Sequence, residues 1–139
     1  MNVLEFSQFD LKIGKADHIF INATASNKAF GAREVLLDTG FSLGLAFDFT
    51  LMTKFGFKEG FLSNVVLADA TVARAFTFIV DITIPKDGKV QKLGAASVIF
   101  LKGCNEPIAG IELLKLISPL RVDWADASVL WGSSVPVLT

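Results

Sequence analysis

The chain of 139 residues has one cysteine, one histidine and no tyrosine. A lone cysteine, Cys104, closes no intrachain disulfide, which excludes a small secreted scaffold held together by staples. His18 and Cys104 together are too few for a zinc site of the usual His/Cys kind, and HExxH would need a second histidine. No CxxC, GxxxxGK[ST] or GxGxxG occurs, so the dithiol, P-loop and dinucleotide-binding signatures are all absent. Nothing implies a metal or an organic cofactor. No apolar run reaches the about twenty residues that span a bilayer. The segment Met1–Phe6 has neither a basic stretch nor a long apolar one, so the expectation is a soluble, cytoplasmic protein. A formal net charge of −1 gives no electrostatic reason to hold nucleic acid or an anionic membrane.

What is present is a core. Hydrophobic residues make up 52% and charged residues 19%, which excludes disorder as a class. Thirteen phenylalanines with no tyrosine favour dry packing, because a phenyl ring has no polar tip to satisfy. The length fits one domain over residues 1–139.

Short apolar segments between turn signals predict an all-β domain. Strands are expected at Phe9–Ile13, Ile19–Ala25, Glu34–Leu37, Val65–Leu67, Val72–Ile84, Ala96–Leu101, Leu120–Val122 and Val129–Trp131. Pro85-Lys86-Asp87-Gly88 reads as a turn, since Asp-Gly tolerates positive φ. Val135–Val137 alternates but contains Pro136, so it reads as an edge strand at most. Two helices are expected. Phe49–Phe55 is capped by Asp48 and stopped by Gly56, and Ile111–Ile117 is stopped by Pro119.

Two motifs compete for the chemistry around residue 40. Gly40-Phe41-Ser42-Leu43-Gly44 fits GxSxG, the nucleophile elbow, but that fold needs a histidine after the serine, and His18 precedes Ser42. Val35-Leu36-Leu37-Asp38-Thr39-Gly40 instead runs an apolar strand into an acid, a hydroxyl and a glycine. Alone, Asp-Thr-Gly is also an ordinary turn, with Asp as cap and Gly as the permissive residue.

A second segment about seventy residues downstream bears on that choice. Glu106-Pro107-Ile108-Ala109-Gly110-Ile111-Glu112-Leu113-Leu114 resembles the apolar-apolar-Gly and helix element that follows the Asp-Thr-Gly loop in retropepsin-like, single-lobe aspartyl proteases. Asp38-Thr39-Gly40-Phe41-Ser42 is similar to the loop of bacterial and archaeal members. Phe49–Gly56 resembles their short helix, and Val65–Phe76 their hairpin flap. The resemblance covers about residues 19–131 and leaves 1–18 as an N-terminal extension. The chain departs from the pattern at Leu43, where members often have glycine. It departs again at the flap tip, Ala68-Asp69-Ala70, where members have small or glycine-containing sequences and where an acid would repel acidic substrates.

The resemblance implies a closed or partly open β-barrel with one short C-terminal helix, assembled as a two-fold homodimer. It implies an aspartic endopeptidase in which Asp38 from each subunit shares one proton with its mate, because two carboxylates about 3 Å apart do not both ionise. The other acids, Asp48, Asp81, Asp123 and Asp126, lack the motif context. Thr39 would hydrogen-bond across the two-fold axis, Gly40 would leave room for substrate backbone, and Gly110 would let the helix approach the loop. Ala68, Asp69, Ala70 and Thr71 would close over an extended peptide, and Phe41 would line a pocket for bulky apolar side chains. Val3–Phe6 and Val135–Leu138 would either interleave with the partner's termini or cover the outer sheet. Two other readings stay open: a protease-fold module that dimerises or binds peptides without cutting them, and an unrelated β-barrel in which Asp38 is a turn residue.

Overall fold

The computed structural model describes residues 2–66 and 69–136. The architecture is mostly β: β1 (Asn2–Ile13), β2 (Ile19–Ala25), β3 (Ala32–Leu37), β4 (Leu45–Asp48), β5 (Phe61–Val66), β6 (Val72–Lys86), β7 (Lys89–Leu101), β8 (Ile108–Ala109), β9 (Leu120–Asp123) and β10 (Ser128–Trp131). Two short helices interrupt them, α1 (Met52–Phe55) and α2 (Ile111–Ile117).

Seven strands close a barrel in the order β1-β2-β3-β8-β4-β7-β6, and a parallel pairing of Asn2–Glu5 with Val80–Thr83 returns the ring to β1. Closure removes the edges of the ring itself, leaving the outer side of β5 as an open edge. β5 lies outside the ring and pairs only with β6, so β5 and the first part of β6 form a hairpin that projects from the wall. β9 and β10 make a separate small hairpin, and Trp131 at its end packs edge-on against Phe9, 5.5 Å between ring centres.

The first strand is integral to the barrel. Leu4, Phe6 and Phe9 are buried in the main core, so Asn2–Ile13 is part of the barrel itself. Val3–Phe6 is engaged within its own chain, which is neither the exchange of strands with a partner nor the outer cover expected from the sequence. The tail also differs from expectation. Gly132–Ser134 forms a 3-10 turn, and Val135 and Pro136 lie in no strand; Val137 and Leu138 fall outside the described residues.

The interior is built on phenylalanine. Phe30, Phe47, Phe55, Phe57, Phe78 and Phe100 pack ring against ring, with Phe30 edge-on to Phe47 at 5.3 Å and Phe78 edge-on to Phe100 at 5.8 Å. Such offset and edge contacts suit the ring quadrupole, and each fully buried ring contributes about 1.5–3 kcal/mol by leaving water.

A second, smaller core lies on the outer face of the same wall. Ala46, Ala75, Ile99 and Leu101 are buried there beneath Phe41, Leu43 and Val65. β7 is thus covered on both sides at its end, with Val98 and Phe100 inward and Ile99 and Leu101 outward. That explains the unbroken apolar run Val98–Leu101, since a strand buried on both faces has no need to alternate.

The helix expected over Phe49–Phe55 is a 3-10 turn, Phe49–Leu51, running into the single turn of α1. Asp48 caps it by accepting from Thr50 N at 3.2 Å, and Gly56 ends it at φ 64°, a left-handed conformation that suits glycine.

Candidate active site

The Asp38 loop is positioned by the short strand β8. β8 pairs in parallel with the end of β3 (Leu36 with Ile108, Leu37 with Ala109) and antiparallel with the start of β4 (Leu45 with Ala109, Ala46 with Ile108). β3 and β4 are therefore one strand apart, and residues 38–44 must cross over β8 to join them. The chain then leaves β8 directly into α2. The loop consequently lies over the N-terminus of α2, whose first N–H groups have no partners inside the helix. They donate to the loop instead: Gly110 N to Gly44 O at 2.8 Å, Ile111 N to Phe41 O at 2.9 Å and Glu112 N to Leu43 O at 3.3 Å.

This contact leaves no room for a side chain at Gly110. A Cβ there would run into Phe41 O and Leu43 O, and would sit 2.7 Å from Phe41 Cδ2. Gly44 is similarly confined, with Ser97 O 2.5 Å and Ala96 Cβ 2.9 Å from where its Cβ would be.

Asp38 is half-buried at the mouth of this arrangement. Its N–H donates to Ala109 O at 2.8 Å, its Oδ1 accepts from Gly40 N at 2.9 Å, and its carbonyl accepts from Phe41 N at 3.1 Å. The carboxylate is thereby fixed by the backbone of its own loop and of β8. Thr39 and Gly40 are exposed beside it, and a Cβ on Gly40 would meet only Asp38 Oδ1, at 3.1 Å.

A groove runs from Asp38 beneath the β5–β6 hairpin. A cavity of about 540 Å³ is lined by Asp38, Phe41, Ala46, Val65, Ile99 and Ile108 among others, and Asp38 is its only carboxylate among the described residues. A second cavity of about 470 Å³ continues past Phe41 and shares Gly40, Phe41, Val65 and Val66 with the first. Cys104 also lines the first cavity. Burial, and secondly the charge of Asp48, push its thiol up from the ordinary value, so it stays protonated and is a poor nucleophile.

At the hairpin tip Asp69 turns back on its own chain. Its Oδ1 accepts from Thr71 N at 3.0 Å and from Thr71 Oγ1 at 2.6 Å, and these bonds lower its pKa. The following residue, Ala70, has φ 66°. The hairpin strands begin four residues earlier than the sequence indicated, at Phe61 rather than Val65. Ala68 lies outside the described residues.

Three of the other acids named from the sequence, Asp48, Asp81 and Asp123, have structural partners. Asp48 accepts from Thr50 and, at 3.2 Å, from Gly103 N; the Thr50 bonds are the main cause of its lowered pKa. Asp81 pairs with Lys92 at 3.5 Å, and Asp123 accepts from Asp126 N at 3.1 Å. His18 is exposed and lines a different cavity, also about 540 Å³, beside Lys15, Arg33, Glu34 and Glu106. Ser42 sits in an irregular loop, not at a strand-to-helix elbow, and does not share a cavity with His18. The serine-hydrolase constellation is therefore not assembled.

Sequence reasoning passed over Ser97 and Glu112. Glu112 Oε1 accepts from Ser97 N at 2.7 Å and its Oε2 from Ser97 Oγ at 3.3 Å, tying the first turn of α2 to β7. The available signal was an acidic residue in the first turn of a mostly apolar helix, two residues after the glycine. No group of three or more His, Cys, Asp or Glu suited to a metal ion occurs among the described residues. No helix of the described residues is long and apolar enough to cross a membrane.

Comparison with family models, with curated proteins and with solved structures finds no match to this chain.

Proposed function

We propose that this chain is an aspartic endopeptidase of the retropepsin-like type, working as a two-fold homodimer with one Asp38 from each subunit. The observation that carries the reading is the setting of Asp38. A single carboxylate is held by backbone hydrogen bonds at the mouth of an apolar groove beneath a projecting hairpin. Peptide hydrolysis by carboxylates needs two of them, and this groove offers one per chain. A two-fold axis beside the exposed Thr39 and Gly40 supplies the second, since such an interface is self-complementary. One carboxylate then takes a proton from water as its oxygen adds to the carbonyl carbon, and the other protonates the carbonyl oxygen. Collapse of the tetrahedral intermediate breaks the C–N bond and returns a proton to the amine. The pair titrates as a unit.

The test is digestion of an unfolded protein from about pH 3 to about pH 8 by the wild type and by Asp38→Asn side by side. The expected result is cleavage by the wild type alone, with a bell-shaped acidic profile and the same dimer in both. Equal cleavage by both proteins, or activity still rising at about pH 8, would overturn the mechanism. A second reading, a dimeric peptide-binding module, is favoured by the hairpin tip, where the Asp69–Thr71 bonds stiffen a turn that a closing flap must move. Silence from both proteins, with retained peptide binding, would select it.

A further inference from the structure

The two parts of the groove differ in chemistry. The part at Asp38 is walled by Ala46, Val65, Ile99, Leu101 and Ile108, with Lys102 also in its lining. The part beyond Phe41 has Ser42, Ser63, Asn64, Thr77 and Ser97 in its wall and no charged residue. Thr77 and Ser97 are only 5% and 8% exposed, so their hydroxyls are built into the wall.

The polarity of those hydroxyls is fixed by their neighbours. Ser97 Oγ donates to Glu112 Oε2 at 3.3 Å, and that bond uses the hydroxyl's one proton. Ser97 is left with lone pairs to offer. Ser63 Oγ and Thr77 Oγ1 lie 2.8 Å apart, and one proton lies between them. The second hydroxyl proton of that pair remains to be donated. The wall thus presents an acceptor at Ser97 and a donor at Ser63/Thr77, with the negative charge of Glu112 directly behind the acceptor.

We infer that this second pocket selects a carboxamide side chain, Gln or Asn, from the peptide lying in the groove. The amide NH₂ meets Ser97 and the amide oxygen meets the Ser63/Thr77 pair. A carboxylate of the same shape brings no donor to Ser97 and faces Glu112, so Glu and Asp are rejected. Side chains two apart on an extended chain lie on one face, about 6.6–6.8 Å from each other. The substrate therefore carries a bulky apolar residue nearest Asp38 and the carboxamide residue two positions further from it. This inference rests on the groove being the substrate site of the proposed peptidase.

The experiment uses three peptides that share a bulky apolar residue and differ two positions away, with Gln, Glu or Leu. Cleavage by the wild type and binding to Asp38→Asn, the latter by fluorescence anisotropy, are both measured at about pH 6.5, above the ordinary carboxylate range, so that the Glu peptide carries its charge. The expected result is a preference of about tenfold or more for Gln over Glu, the scale at which a hydrogen-bonding site rejects an unmatched group. Glu112→Gln removes the repulsion and should collapse the Gln-to-Glu ratio. Thr77→Val should collapse the Gln-to-Leu ratio, and it guards against misfolding of the first variant. Cleavage of all three peptides at equal rates would overturn the inference and leave the peptidase standing. Absence of cleavage, with Gln still preferred in binding, would retain the inference and overturn the peptidase. Absence of both cleavage and discriminating binding would overturn both.

Discussion

Replacing Gly110 by Ala tests whether the Asp38 loop and α2 are one packed unit. Gly110 has φ −116° and extended backbone, so alanine fits its conformation without strain. In open space such a change would stabilise by about 0.4–1 kcal/mol, through the unfolded chain. Here the added Cβ strikes two carbonyl oxygens, Phe41 O and Leu43 O, and both belong to backbone. Relief requires the loop and helix to separate, which strains or breaks the bonds from Gly110, Ile111 and Glu112 to the loop. Overpacking costs about 1–3 kcal/mol, and each weakened hydrogen bond adds about 0.5–1.5 kcal/mol. A net loss of about 2–7 kcal/mol follows, depending on how many of the three bonds yield. With an unfolding entropy near 2.1 cal/mol/K per residue, the midpoint should fall by about 7–24 °C. Circular dichroism melts and urea titration measure it. Gly40→Ala is the control, because its Cβ meets only the Asp38 carboxylate, and its stability should change by no more than about 1 kcal/mol. A Gly110→Ala midpoint equal to or above wild type would refute the packing argument.

Phe100→Ala removes a fully buried ring that contacts Phe47, Phe55, Phe57 and Phe78. It should cost about 3–5 kcal/mol by urea unfolding, with Phe100→Leu costing clearly less. Asp48→Asn probes the cap of the 3-10 turn through pH. The folded pKa of Asp48 lies below its ordinary value of 3.8, so its contribution is fully present above that value and is lost as pH falls through the folded one. The midpoint difference between wild type and Asp48→Asn should therefore be constant near neutrality and shrink below about pH 4. A difference that grows on acidification would contradict the assignment.

The sequence was most readable where local chemistry decides the structure. β2 and α2 occupy the segments expected from patterning, and Asp87 and Gly88 take positive φ at the hairpin turn read from Pro85–Gly88. It was least readable where distant partners decide. In β1 the inward face changes phase: Leu4 and Phe6 are inward, then a bulge between Phe6 and Gln8 puts Phe9 inward. That bulge breaks the alternation that would have joined Asn2–Gln8 to the expected strand. β7 begins at Lys89 rather than Ala96 because its polar first half is held by pairing with β6, not by burial. β4 has four residues, Leu45 to Asp48, too few to show a period. The Asp38 and Gly110 motifs were visible as residues. The contact between them depends on β8, a two-residue strand without a pattern of its own.

The position of the hairpin relative to the barrel depends on a seam along one edge of β6. β5 pairs with residues 72–77 of that edge and β1 with residues 80–83, leaving Phe78 and Ile79 paired there with neither. Asn2 bridges the gap. Its Nδ2 donates to Lys58 O at 2.6 Å and its Oδ1 accepts from Lys58 N at 2.9 Å, so the side-chain amide imitates one rung of a ladder. The start of β1 and the approach to β5 are thereby joined as if they were one interrupted strand. Asn2→Ala removes both bonds at the root of the hairpin while leaving the barrel pairings intact. The expected global cost is small, about 1–2 kcal/mol for two exposed hydrogen bonds. Amide exchange in Phe61–Val66 should speed up selectively, because those residues have β6 as their only strand partner. Amides of Val98–Phe100, between β4 and β6, should keep their protection. Equal acceleration in both groups would mean that the hairpin opens only with the barrel, and that Asn2 has no separate role at its root.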